Sequence, residues 1–310
     1  MPPILLPALI PALMLAAAAD PAEDQIEVAA QRLTRAQIRA SAQIYTRAGL
    51  PPNPDFGQFA RWQGPICASV RGIPDPAVTA LVLKRVNAVV AETGLKAAEP
   101  GCKPNLTIAF TDDARGLVAE VRSRKRSALP RYNPTLFSRL DSPSLPVRWW
   151  HVLAPAGPGG GTAATPDAGA LASASSNATP LGNVLPAGPD AIGTNSWNSS
   201  LIDTNLTVSA KAGVAVVDVN LATGVSLEAL ADYVALVMVA PMRMPPGDPG
   251  VPSVLGLFTG ARPAGLTDWD RAFVRALYKV QMNRSFQRQR QQLLNAMAAD
   301  LAPGADPDQP

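Results

Sequence analysis

Residues 226–240 read SLEALADYVALVMVA, with Leu227, Leu230, Val234, Val237 and Met238 at i, i+3, i+7, i+10 and i+11. That is the period of a helix. Ser226 can cap its start, since a serine hydroxyl accepts from an unpaired first-turn N–H. Glu228 sits where the helix dipole favours negative charge. Pro241 and Pro245-Pro246-Gly247 stop it. We expect this to be the central core helix.

The same periodicity predicts helices elsewhere. Residues 34–48 form a short amphipathic helix ended by Gly49 and Pro51-Pro52. Asp75 and Pro76 start another at N-cap and N1. Its apolar stripe is Val78, Leu81, Val82, Val86, Val89 and Val90, and Gly94 closes it. Asp112 or Asp113 starts a third, with Leu117, Val118 and Val121 inward. Thr267 and Asp270 make a capping-box-like start for a helix with Trp269, Phe273, Leu277 and Val280 inward and Arg271, Arg275 and Lys279 towards water. Residues 283–301 continue as a polar, Gln/Arg-rich helix before a tail.

Extended segments are expected at 62–70, 105–110 and 144–153. Alternation in the last places Trp149 and His151 on one face and Trp150 and Val152 on the other. Residues 206–210 and 214–220 suggest a β-hairpin with Gly213 at its turn, the second strand being apolar on both faces and hence central. The whole reads as α/β (α+β): a single mixed-sheet domain with packed helices. Its parts are an N-terminal segment 20–57, a first α/β part 58–153, a second part 201–282 and a polar C-terminal helix and tail 283–310. Residues 154–200, rich in Gly, Pro, Ala and Ser with only Asp167 and Asp190 charged, read as a disordered internal loop. Within it GPGGGT at 157–162 lacks the lysine and following helix of a phosphate loop.

The order of core helix, Pro/Gly loop, PSVLGLF at 252–258 and LTDWDRAFVRALY at 266–278 resembles the C-terminal half of a set of secreted proteobacterial proteins. These in turn resemble zincin-type metallopeptidase domains. The resemblance covers mainly 201–280. It implies a zincin-like scaffold, but a zincin carries H-E-x-x-H on that helix. Here the stretch is LADYVAL at 230–236, and the only histidine of the chain is His151. No catalytic residue carries over, and no metal or cofactor is expected. Residues 25–32, QIEVAAQR, resemble the strand-forming box of TonB-dependent receptors, although no β-barrel pattern follows. The plainer alternative is an edge strand or tail.

Residues 1–19 carry no charged side chain and run through Ile, Leu, Ala and Met to an Ala-rich end, followed by Asp20-Pro-Ala-Glu-Asp24. This reads as a secretory signal peptide, with retention as an apolar anchor the alternative. Export to the periplasm or beyond favours a disulfide between Cys67 and Cys102, the only cysteines. Unpaired core thiols are the alternative. No transmembrane span is expected after signal removal. The net charge of +3 is too small for an obligate nucleic-acid binder. Without the signal and the loop, roughly 240 residues remain, enough for one core.

Two clusters carry candidate chemistry. Trp149, His151, Asp232 and Tyr233 are the place to look for a ligand cleft, because His151 alone has an ordinary pKa near neutrality. A packed histidine beside tryptophans is the plainer reading. Arg122, Arg124, Lys125 and Arg126 form a basic run that suits an anionic cell-envelope contact, or simply a solvated helix end. The leading functional expectation is a non-catalytic binding or envelope-interaction module with an envelope protein or anionic envelope component as partner. A metal-independent hydrolase is the second. It would use His151 or paired carboxylates among Asp203, Asp218, Glu228 and Asp232. No G-x-S-x-G or S-x-x-K motif supports it. A polybasic surface binder using Arg122–Arg126 is the third.

Overall fold

The computed structural model describes residues 33–50, 57–124, 129, 134–156 and 207–302, all in the compact unit Leu33–Pro310. The order is α1 (Arg35–Gly49), β1 (Ala60–Trp62), β2 (Ala68–Arg71), α2 (Pro76–Ala91), β3 (Leu106–Thr111), α3 (Ala114–Arg124), α4 (Pro134–Leu140), β4 (Val147–Ala156), β5 (Thr207–Asp218), α5 (Leu227–Val239), α6 (Asp268–Lys279) and α7 (Phe286–Leu301). It is an α/β fold with a mostly parallel five-stranded sheet and packed helices.

β5 organises the sheet. It pairs antiparallel with β4 along nearly its whole length, from Ala156↔Thr207 to Val147↔Val217. A strand has two edges, and the other is divided: Ala60–Trp62 pairs with residues 208–210 and Leu106–Thr111 with residues 213–218, both parallel. β2 extends the sheet beyond β3. The register aligns Val147, Trp149 and His151 with Val217, Ala215 and Gly213, and these with Phe110, Ile108 and Leu106. Alternation turns all of them to one face, where α5 and α2 pack. Arg148, Trp150, Val214 and Val216 belong to the other.

The expected hairpin at 206–220 is instead this single strand. Gly213 is not among the glycines with positive φ. A Cβ there would lie 2.5 Å from Met238 Cε and 3.3 Å from Trp62 Cζ2, so glycine allows α5 to approach the sheet. The polar interruption is a bulge: Val152 pairs with Ala212 and Leu153 with Ala210, leaving Lys211 over. The segment expected at 62–70 is two strands in different places, β1 beside β5 and β2 beside β3. Of the stretch read as a disordered loop, residues 154–156 continue β4, and 157–200 lie outside the described residues. So do the signal stretch, the QIEVAAQR box, Lys125, Arg126 and Asp203.

The caps formed as their chemistry requires. Thr34 accepts from Gln37 N, Asp75 from Ala77 N and Ser226 from Ala229 N, and Thr267 makes a capping box with Asp270. Cys67 precedes β2 and Cys102 precedes β3, and their disulfide ties these neighbouring parallel strands together. α5 departs from a one-sided stripe: every residue from 229 to 239 is buried. A helix enclosed on all sides needs small residues where neighbours approach, and Ala229, Ala231 and Ala235 provide them.

Candidate functional site

The last carbonyls of a helix have no partner within it. At the C-terminus of α5 they lie inside the core, where water cannot serve them and an unpaired group would be costly. Polar tips of aromatic side chains do so. The Met238 carbonyl accepts from Trp62 Nε1 at 2.8 Å and from His151 Nε2 at 2.9 Å. Tyr278 donates its hydroxyl to the Val239 carbonyl at 2.9 Å. Just beyond the helix, Trp149 Nε1 donates to the Met242 carbonyl at 3.0 Å. A carbonyl only accepts, so His151 carries its proton on Nε2. Burial pushes the His151 pKa down to about 4, outweighing the upward pull of the Met238 carbonyl. At neutral pH this is a neutral imidazole ending a helix.

Asp232 and Tyr233 are also buried. Asp232 accepts from Arg85 Nε at 2.9 Å, from Arg85 Nη2, and from the Leu266 N–H at 2.8 Å. It joins α5 to α2 and to the strap before α6. Tyr233 packs between Trp149, at a ring-centroid distance of 6.1 Å, and Phe258, at 5.1 Å, and burial raises its pKa. The structure thus brings Trp149 and Tyr233 together, and places His151 and Asp232 with separate partners, Met238 and Arg85.

The remaining buried ionisable groups are engaged in the same way. Asp270, fully enclosed, accepts from Tyr45 Oη at 2.8 Å, Ser253 Oγ at 2.5 Å, Val254 N at 2.8 Å and Thr267 N at 2.9 Å. Burial, and then the charge of Asp270, hold the Tyr45 pKa well above its ordinary value. Arg148, also fully enclosed, donates to the carbonyls of Leu140, Leu145 and Ser142 at 3.0, 2.7 and 2.6 Å. Asp218 lies 3.9 Å from Arg148 and accepts from the backbone of Asn220 and Leu221. Glu228 is exposed in the first turn of α5. The face of α6 expected to meet only water is ion-paired: Arg271 and Arg275 both reach Glu92, and Arg275 also reaches Asp300.

Arg122 pairs with Asp141 and stacks over Phe137 at 5.0 Å, and Arg124 pairs with Glu120. A surface depression of 390 Å³ opens beside the disulfide, lined by Pro65, Cys67, Lys96, Glu99, Cys102 and Lys103 among others; none of Trp149, His151, Asp232 and Tyr233 lines it. Among the described residues no group of three or more His, Cys, Asp or Glu is placed to hold a metal ion, and no helix is long and apolar enough to cross a membrane.

Sequence reasoning passed over Trp62, Arg85, Arg148 and Tyr278 as partners, and saw in Asp270 only the capping partner of Thr267, not the acceptor of Tyr45, Ser253 and Val254. Arg85 is separated from Asp232 by 147 residues and Trp62 from Met238 by 176, so no local spacing joins them. One signal was readable: Arg148 stands in a strand pattern beside two tryptophans, and a charged residue there needs a buried partner.

No protein-family model, curated protein or solved structure matches the chain.

Proposed function

We propose that this chain is an exported, non-catalytic binding module of the cell envelope, on a zincin-like scaffold in which the metal-bearing helix has become the core helix α5. What carries this reading is the engagement of the candidate chemistry. His151 ends α5, Asp232 holds Arg85 and the Leu266 amide, and Asp270 joins α1 to α6. General acid–base chemistry needs a group within reach of a substrate proton, and these groups face protein. The scaffold part rests on the resemblance across residues 201–280. An intramolecular disulfide fits a non-cytoplasmic protein, and with the apolar leader it supports the periplasm or the exterior as the site of action.

The test compares the purified chain with His151→Gln for binding to isolated cell envelopes and for turnover of ester, peptide and glycoside substrates. Equal envelope binding and no turnover by either is the expected result. Turnover that His151→Gln abolishes would overturn the reading in favour of a His-dependent hydrolase.

A further inference from the structure

α1 and α7 lie against each other, and their charges have one sign. α1 contains Arg35, Arg39 and Arg47 and no acidic residue. α7 contains Arg288 and Arg290, and its single carboxylate, Asp300, is held by Arg275 of α6. Among the described residues Arg39, Arg47, Arg288 and Arg290 take part in no ion pair. Three of them are exposed and Arg290 is half-buried.

Neutral amides, not carboxylates, bridge the two helices. Arg39 Nη2 donates to Gln291 Oε1 across the seam. With the Gln43 amide turned so that its oxygen faces the guanidinium groups, that oxygen accepts from Arg47 Nη2 at 2.7 Å and from Arg290 Nη2 at 3.0 Å. Two cations from different helices thus converge on one uncharged acceptor. Unlike Arg122 and Arg124, which face Asp141 and Glu120, they have no carboxylate partner among the described residues.

Apolar side chains also stand in water on α1 and just ahead of it. Leu33, just ahead of α1, is 48 % exposed and Ile44, within it, 51 %. A hydrated anionic polymer gives such side chains nothing to bury into. A bilayer supplies both phosphate oxygens and an apolar layer beneath them, as it does for surface-binding amphipathic helices. We infer that the α1–α7 face docks on a membrane surface rich in anionic phospholipid, with Arg39, Arg47, Arg288 and Arg290 on the headgroups and Leu33 and Ile44 entering the interface.

This inference rests on the envelope-binding reading and names the component bound. The probe is vesicles of phosphatidylglycerol and phosphatidylcholine against pure phosphatidylcholine, read by flotation of the whole chain. We expect binding to the anionic vesicles that falls steeply between low salt and 0.5 M salt. An exposed basic residue near an anionic surface is worth about fivefold in affinity. Replacing Arg39, Arg47 and Arg290 together by Gln should therefore weaken binding on the order of 100-fold, while Arg122→Gln with Arg124→Gln leaves it unchanged.

Equal binding to both vesicle types, which an apolar leader alone would give, overturns the inference, and so does binding that survives the triple replacement. So does retention on a sulfated polysaccharide without vesicle binding. The salt titration on the unaltered chain decides independently of how the triple variant folds. Envelope binding without vesicle binding leaves the broader reading standing while this one falls. His-dependent turnover would remove the broader reading instead.

Discussion

His151 and Trp62 donate to the same oxygen, the Met238 carbonyl, from strands that do not pair with each other. The tryptophan does not titrate, whereas the histidine has its pKa lowered from 6.5 to about 4 by burial. The unfolded chain therefore binds a proton more readily than the native one between these values. The stabilising effect is fully present above pH 6.5 and is lost as the pH falls towards 4. At about 1.4 kcal/mol per unit this amounts to about 3 kcal/mol. Urea titrations at pH 7.5 and pH 4 should show that loss in the native chain and a smaller one in His151→Gln, which keeps a donor without the titration. An identical pH dependence in both would refute the assignment.

Asp270 gathers donors from α1, from the turn at Val254–Gly256 and from the start of α6. Removing the carboxylate leaves several buried donors unanswered. Asp270→Ala should cost at least about 3 kcal/mol, and Tyr45→Phe, which removes one donor, about 1 kcal/mol. Denaturation midpoints of the two variants check the ratio.

The Arg85–Asp232 pair is lopsided, with side-chain exposures of 34 % and 3 %. Solvent screens the arginine side, so a double-mutant cycle should give a coupling of about 1 kcal/mol. Asp232→Ala should cost more than Arg85→Ala, because it also strips the Leu266 amide of its acceptor. Equal costs would contradict this.

The disulfide closes a sequence separation of 35 residues. In the chain-entropy account such a loop is worth about 4 kcal/mol. Cys67→Ser with Cys102→Ser should lower the unfolding free energy by up to that amount, and reductant should have no further effect on the double variant.

β4 and β5 remain paired up to Ala156↔Thr207, so the chain leaves and rejoins the sheet at adjacent positions. The fold needs no particular length of chain between them, and loop closure grows only slowly with length. Replacing residues 157–206 by a four-residue turn should leave the thermal transition within a few degrees. Collapse of the fold would show that the segment supports the sheet.

Local chemistry was legible in the sequence, and pairing at a distance was not. Ser226, Asp75 and Thr267 announced their helices because a cap depends on residues a few positions apart, whereas the capping box of Thr34 with Gln37 went unread. The two cysteines, the central position of residues 214–219 and the alternation of Trp149 with Trp150 were equally readable. Gly213 misled because a glycine between two strand-like runs signals a turn with positive φ. Its actual role is set by Met238 Cε, which arrives from a later helix. The same holds for the suspected cleft: aromatic and titratable residues gathered around α5 resemble a binding site in composition. Their partners, the carbonyls of Met238, Val239 and Met242, have no sequence signature. The α1–α7 surface was visible as arginine content, but its lack of balancing carboxylates emerged only when the two helices came together.

β5 is the last strand of the sheet to be made, yet three others depend on it. Ala60 pairs with Val208, and Leu106 with Gly213, so β1 and β3 wait for a strand that begins only at Thr207. A chain synthesised or threaded from its N-terminus presents those unsatisfied edges for most of its emergence, the situation in which strands find wrong partners. Productive folding is therefore post-translational in character. A nascent chain stalled before residue 207 has β2 and β3 to pair with each other and no centre around which to close.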